Sequence, residues 1–247
     1  MTTKKRIVII GATSAIAEQC ARQWAQQGPV EIILLGRNQR RLDIVAADLL
    51  VRSPTLEIKI VIANFIDPES IKITAAALFE KGAIDIALIA HGSLPEQIDC
   101  QNDLGLCRQT LEVNAISPVL YAEALAGQMA KLNRGTIALI SSVAGDRGRK
   151  SNYVYGSAKG LVTRYAQGLQ HRFAGSGVHI TLIKPGPTGT PMTAGMKGNF
   201  SSPENVAKKI TEGIENQKFV IYAPEKWRLI MMVIRHLPSF IFNKLNI

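Results

Sequence analysis

The sequence predicts an α/β fold of the doubly wound type, in which seven parallel strands form one sheet with helices on both faces, over a single domain spanning residues 1–247. Three observations predict it. Short runs rich in Val, Ile and Leu alternate with longer helical patterns from the first residues onward. The runs are almost continuously apolar, as strands covered on both faces must be. A glycine turn closes the first run where a helix begins. In chain order, residues 6–10 read as the first strand, 15–27 as the helix after the glycine turn, and 30–35 and 39–51 as the second strand and helix. Strand 56–62 pairs with helix 68–81, strand 84–90 with a long helix over 107–131, and strand 136–141 with helix 153–174. Strand 179–183, helix 203–216 and strand 219–222 complete the pattern, and residues 225–247 form a basic, apolar tail. No repeat, low-complexity tract or linker divides the chain.

Hydrophobic residues make up 47% of the chain and charged residues 19%, which excludes a disordered or collagen-like composition. The formal net charge of +10 suits nucleic acid, an anionic membrane or a phosphorylated ligand, and charge alone does not choose among them. No nucleic-acid recognition motif accompanies the charge, so nucleic acid is not an expected partner. Cys20, Cys100 and Cys107 are scattered, without CxxC spacing or a nearby His cluster, and read as free thiols with no metal site. No apolar run approaches the ~20 residues of a membrane-spanning helix, and residues 1–6 lack a signal-peptide core. A cytoplasmic protein is expected.

The turn Gly11-Ala12-Thr13-Ser14-Ala15-Ile16-Ala17 places small residues and backbone N–H groups where a pyrophosphate can meet a helix N-terminus. An unliganded strand-helix turn has the same local form. The second strand ends Leu35-Gly36-Arg37, where NAD sites usually carry Asp or Glu for the ribose hydroxyls. Arg37, with Arg40 or Arg41, suits a 2′-phosphate, which implies NADP(H) as cofactor.

Tyr155 and Lys159 are four residues apart in a helical segment and therefore share a face. Ser142 stands at the end of the fifth strand, where a doubly wound sheet exposes ligand-facing side chains. A phenol with an ordinary pKa of about 10 exchanges protons poorly near neutrality, and the Lys159 ammonium is expected to lower it. Ser142 would then hydrogen-bond a reacting carbonyl oxygen while Tyr155 gives it a proton. Asn114 lies four residues before Pro118, which has no N–H to donate; the freed Asn114 carbonyl is expected to hold a water that links Lys159 to solvent.

Together these residues resemble the short-chain dehydrogenase/reductase family: Gly11-x3-Ala15-Ile16-Ala17, Asn114, Ser142-Val143-Ala144-Gly145, Tyr155-x3-Lys159 and Pro185-Gly186-x3-Thr190 occur in order across nearly the whole chain. The resemblance implies a Rossmann-type domain, nicotinamide-dependent hydride transfer, and a tetrad of Asn114, Ser142, Tyr155 and Lys159. It implies cofactor contacts from Gly11, Thr13, Ser14, Ala15 and Ile16 in the turn, and from Arg37, Asn64, Ala90 and Gly92. Tyr155 and Lys159 would meet the nicotinamide ribose, and Pro185, Gly186, Thr188 and Thr190 would line the nicotinamide. A homodimer or homotetramer built by the helices near Cys107 and Tyr153 is also implied.

The chain departs from the family pattern at several points. Ile10, Ala15 and Ala17 replace a threonine and two glycines of the usual turn, narrowing the approach to the pyrophosphate. Ala90-His91-Gly92 replaces the usual Asn-Ala-Gly, with His91 either a proton donor near the cofactor or a loop histidine bonded to backbone. Asn64 replaces an aspartate, and its amide can still meet an adenine edge.

Residues 146–150 form a basic loop expected to overhang the site, with Arg147 and Arg149 attracting a phosphate-bearing substrate. The tail is too short and charged to span a bilayer; it reads either as peripheral contact with an anionic membrane, on its inner face, or as packing on the domain or a subunit. With the turn and the Ala-His-Gly variant it resembles a bacterial branch that includes decaprenylphosphoryl-2-keto-pentose reductases. The expected activity is NADP(H)-dependent interconversion of a carbonyl and an alcohol, the substrate being a small molecule or a lipid-linked keto sugar. The alternatives are a 3-oxoacyl thioester or hydrophobic ketone reductase, and a non-catalytic NADPH-binding regulator.

Overall fold

Ile7, Val8, Ile9 and Ile10 of β1 (Lys5–Ile10) are all fully buried, so this strand is covered on both faces and lies inside the sheet. The remaining strands are β2 (Val30–Gly36), β3 (Glu57–Ile62), β4 (Ile86–Ile89), β5 (Gly135–Ile140), β6 (Val178–Pro185) and β7 (Val220–Ala223). The computed structural model, which describes residues 4–245, joins them as one parallel sheet in the order β3-β2-β1-β4-β5-β6-β7. Around it lie α1 (Ala15–Ala25), α2 (Gln39–Arg52), α3 (Pro68–Phe79), α4 (Gln97–Asn102), α5 (Leu104–Leu111), α6 (Ser117–Leu132), α7 (Tyr153–Arg172), α8 (Pro203–Glu215), α9 (Lys226–His236) and α10 (Ser239–Phe242).

Alternate strand residues feed two core layers. Ile7 and Ile9 pack with Trp24, Leu42, Leu49 and Ile210 on one face; Val8 and Ile10 pack with Ile71, Tyr121, Leu125 and Val162 on the other. Helix starts follow local chemistry. Asn38, Asp67 and Ser202 each accept a hydrogen bond from the third residue beyond, and Pro68 and Pro203 take first-turn positions where no donor is lost. Strand order reverses between β1 and β4, opening a crevice at their C-terminal ends.

The expected seven strands and five of the six expected helices are present, with ends displaced by a few residues. The long helix 107–131 is corrected. It is α5, a π turn over Glu112–Ile116 and α6, because Pro118 cannot donate within an α ladder and the wider turn absorbs the mismatch. The short α4 was not expected. The tail folds as α9 and α10; residues 246 and 247 of the predicted tail, like 1–3 at the start, lie outside the described residues.

The tail is anchored by the loop expected to attract substrate. Arg147 donates to the carbonyls of Ile234 and Leu237, both at 2.6 Å, which caps α9, and its guanidinium lies 3.8 Å from the Phe242 ring centroid. Arg147 is thus a structural clamp, which corrects the expectation that it draws in a phosphate. Beside it, Asp146 pairs with Lys184 and accepts from the Tyr222 hydroxyl at 2.9 Å, tying the loop to β6 and β7 in a buried network.

Candidate active site

The crevice between β1 and β4 is floored by two close approaches. Gly11 follows β1 with φ +83°, and a Cβ there would stand 2.6 Å from the His91 nitrogen; only glycine meets both conditions. Its N–H and that of Ala12 donate to the Leu35 carbonyl, so the turn is held against β2. Helix α1 begins immediately beyond, and its N-cap Ser14 makes no side-chain cap bond. Thr13, Ser14, Ala15 and Ile16 are all partly exposed around this helix start, where the helix dipole and free donors favour an anion. Ala17, in place of a glycine, is fully buried toward the core, so its methyl group takes no space from the crevice.

On the other side of β1, Arg37 is exposed at the end of β2, 6.0 Å from the Phe65 ring centroid. Arg41, not Arg40, shares a cleft of about 230 Å³ with Thr13 and Arg22. Asn64 closes an Asx turn: its Oδ1 accepts from Ile66 and Asp67 N–H at 2.8 and 3.0 Å. Only its amino group therefore remains for an adenine edge.

After β4, Ala90 N–H donates to the Ile10 carbonyl at 2.8 Å, joining the two strand ends. Gly92 is pressed between two side chains; a Cβ there would lie 2.7 Å from Asn114 Oδ1 and 3.6 Å from Lys159 Nζ. Asn114 sits inside the π turn, fully buried, with Oδ1 accepting from Ser93 N–H at 3.0 Å and Nδ2 donating to the Thr110 carbonyl at 2.9 Å. Lys159 is 3% exposed, and its Nζ donates to the Ile140 carbonyl at 3.1 Å, at the end of β5. Ser141 fixes the same helix from below by donating to the Lys159 carbonyl. Ser142, the next residue, accepts from Ala144 N–H at 3.1 Å. Gly145 packs so tightly on the Lys159 backbone that a Cβ would meet its carbonyl carbon at 2.6 Å. The geometry thus brings Asn114, Ser142, Tyr155 and Lys159 to the C-terminal ends of β4 and β5. Pro185 and Gly186 arrive at the end of β6, where the Trp227 indole of α9 covers Gly186 and leaves no room for a side chain. Thr188 is buried and its hydroxyl donates back to the Gly186 carbonyl; Thr190 caps a short 3₁₀ turn with Thr193.

Two electrostatic expectations change. Burial pushes the Tyr155 phenol up to about 12, with a hydrogen bond from Ser142 acting the other way, rather than down under the influence of Lys159. The amine lies 5.8 Å from the Tyr155 ring centroid, and burial lowers its own pKa to about 8. Desolvation therefore outweighs mutual attraction in the free enzyme. His91 is also corrected: burial, then the charges of Lys159 and Arg37, lower it to about 3. It is a neutral ring among Phe65 and Tyr121 that hydrogen-bonds the Ser117 side chain at 2.8 Å, with the Ile10 backbone beside it, and it is not the proton donor that was the other expectation.

The depressed Lys159 has a sign that solution measurements can read. The unfolded lysine, near 10.5, holds a proton that the folded one has released, so stability rises between pH 8 and 10.5 and is lost as pH falls through that window. Lys159→Met is expected to flatten this rise by about 1.4 kcal/mol per pH unit. Denaturant unfolding at pH 8 and pH 10 measures the slope; an unchanged slope contradicts the assignment.

Residues 5–199 match the short chain dehydrogenase family. The chain belongs to that family. An uncharacterized oxidoreductase from Streptomyces coelicolor is 29% identical over 98% of this chain and 96% of its own length. One from Mycobacterium tuberculosis is 31% identical over 97% of this chain and 96% of its own. Among solved structures, a short chain dehydrogenase from Burkholderia cenocepacia in complex with NADP has TM-score 0.84 at 16% identity, covering 99% of this chain and 98% of that one. A short-chain dehydrogenase from Sphingobium yanoikuyae in complex with NADPH has TM-score 0.80 at 21% identity, covering 95% and 97%. These likenesses carry the fold, and the family makes the chain an oxidoreductase. Trp227 and the α4 residue Gln97 join the picture only in three dimensions.

Proposed function

We propose that the protein is an NADP(H)-dependent reductase of a carbonyl group, with Tyr155 as proton donor, Ser142 holding the carbonyl oxygen, and Lys159 and Asn114 supporting them. The observation that carries this reading is the convergence of Asn114 and Lys159 on Gly92, one helical turn from Tyr155, beside a crevice with an uncapped helix start. The cofactor fits what surrounds that crevice: Gly11 lets the turn close on the backbone of His91, Ser14 and the first turn of α1 would hold the pyrophosphate, and Arg37 with Arg41 would hold a 2′-phosphate. Asn64, Ala90 and Gly92 would follow the adenosine and ribose, and Pro185, Gly186 and Thr190 the nicotinamide.

When bound, the reduced nicotinamide supplies hydride to a carbonyl carbon. Ser142 Oγ orients the substrate oxygen, and Tyr155 Oη delivers a proton to it as negative charge develops there. Lys159, cationic below about pH 8, stabilises the tyrosinate left behind. Asn114 fixes the loop carrying Ser93 and thereby the Gly92 backbone against which the amine rests.

Exposed Leu229, Met232 and Val233 on α9 and Phe240 on α10 lie beside Lys226, Arg228 and Arg235, a surface suited to an anionic bilayer and to a lipid-linked substrate. None of the helices in the described residues is long and apolar enough to cross a membrane. Exposed Leu104 and Leu111 on α5 and Leu161 on α7 support assembly of two or four copies through those helices. Fluorescence titration with NADPH and NADH tests the cofactor. NADPH should bind more tightly, and Arg37→Ala with Arg41→Ala should erase about tenfold to a hundredfold of that preference. Equal affinities in the unaltered protein contradict the assignment.

A further inference from the structure

Three polar atoms around the start of α7 are buried without a hydrogen-bond partner among the described residues: Gln97 Nε2, Arg149 Nε and Asn152 Oδ1. Backbone hydrogen bonds tie all three residues to the start of α7. Gln97 is 7% exposed and its Oε1 accepts from Val154 N–H at 3.0 Å, one residue before Tyr155. Asn152 precedes α7, makes no cap bond with its side chain, and donates its N–H to the Arg149 carbonyl. The bond to Val154 fixes which end of the Gln97 amide is free: two N–H donors, in the first turn of the helix that carries the proposed proton donor. Arg149 lies within reach of the Asp146 charge but forms no ion pair among the described residues. Asp146, the carboxylate in the same loop, is taken by Lys184 and Tyr222, and the Arg149 contact is Met231 Sδ at 3.4 Å, a weak acceptor. Native interiors rarely leave such groups unsatisfied, so three of them around one helix start call for a partner, whether water or a bound group. The positive end of the 20-residue α7 points to the same spot.

We infer that Gln97, Arg149 and Asn152 form a subsite for an oxyanion substituent, a phosphate or carboxylate, on the substrate whose carbonyl meets Ser142 and Tyr155. This rests on the reductase reading and narrows its substrate class. Gln97 and Arg149 supply donors to the anion. The Asn152 amide turns either Oδ1 to a neighbouring hydroxyl or Nδ2 to the anion. Met231 on α9 covers the guanidinium, so the same helix that carries the exposed apolar face also bounds the subsite.

The test uses the full chain saturated with NADP⁺, which covers the nucleotide-phosphate contacts. Calorimetric titration with inorganic phosphate should then show binding that Arg149→Met and Gln97→Glu each weaken about tenfold or more. Gln97→Glu keeps the acceptor for Val154 N–H while replacing the donors with a repelling oxygen, so it separates recognition from folding. In turnover, dihydroxyacetone phosphate against dihydroxyacetone, and acetoacetate against its methyl ester, distinguish phosphate from carboxylate. The charged member of at least one pair should have the higher kcat/KM, and the two variants should collapse that ratio. Phosphate binding that survives both substitutions, or neutral carbonyls reduced as well as charged ones, overturns the subsite and leaves the reductase reading standing. Failure to bind NADP⁺ overturns that reading, and the subsite with it.

Discussion

Replacing Tyr155 with Phe is expected to lower kcat/KM for carbonyl reduction by about 10²- to 10⁴-fold, the usual contribution of a positioned general acid. Cofactor binding should persist, because the ring and its packing are retained. The loss has a physical origin in the site: burial pushes the phenol up to about 12, so at neutral pH the hydroxyl is present as a donor. Ser142 meets it from β5, and Lys159, at about 8, is still cationic at pH 7 to receive the tyrosinate. Turnover numbers and NADPH affinity measured on the same preparation check this. A variant that reduces carbonyls at the original rate removes Tyr155 from the mechanism.

The second large effect concerns stability. Lys184→Met should destabilise the fold by about 3–5 kcal/mol, because it strands the Asp146 carboxylate in a site where both side chains are at most 4% exposed. The Tyr222 hydroxyl still donates to Asp146 but carries no charge to balance it. Pairing the change with Asp146→Leu should recover much of the loss, since a well-packed apolar pair avoids both desolvation costs. Denaturant unfolding of the single and double variants checks both parts. Equal stabilities for the single variant and the parent would mean that the pair is solvated. Arg147 gives this region its importance: the loop held by Asp146 also carries the clamp on α9.

Much of this arrangement was legible in the chain. The buried strands announced themselves through Ile7 to Ile10 and their counterparts, because a strand covered on both faces has no polar alternation to obscure it. Gly11, Asn114, Ser142, Tyr155 and Lys159 stood out through order and spacing, and the fold gathers them at the C-terminal ends of the central strands. What escaped were properties set by neighbours distant in sequence. The fates of Arg147 and Arg149, two residues apart, differ because α9, more than 80 residues later, offers carbonyls to one and a thioether to the other. His91 loses its proton to packing against Phe65 and Tyr121. The direction of the Tyr155 shift depended on burial depth, which a four-residue spacing does not encode. The π turn at Asn114 had a local signal in Pro118, and only its form was missed.

The central claim is that this crevice sets a reduced nicotinamide against a carbonyl held by Ser142 and Tyr155. Its most direct test is isotopic: NADPH deuterated at the transferable C4 position is incubated with the protein and the panel of charged and neutral carbonyl compounds, and the products are examined by mass spectrometry. The account predicts an alcohol carrying one deuterium on the former carbonyl carbon, formed by the parent protein and suppressed in Tyr155→Phe. Tight NADPH binding with no label reaching any member of the panel, or labelling that proceeds equally without the Tyr155 hydroxyl, would contradict it.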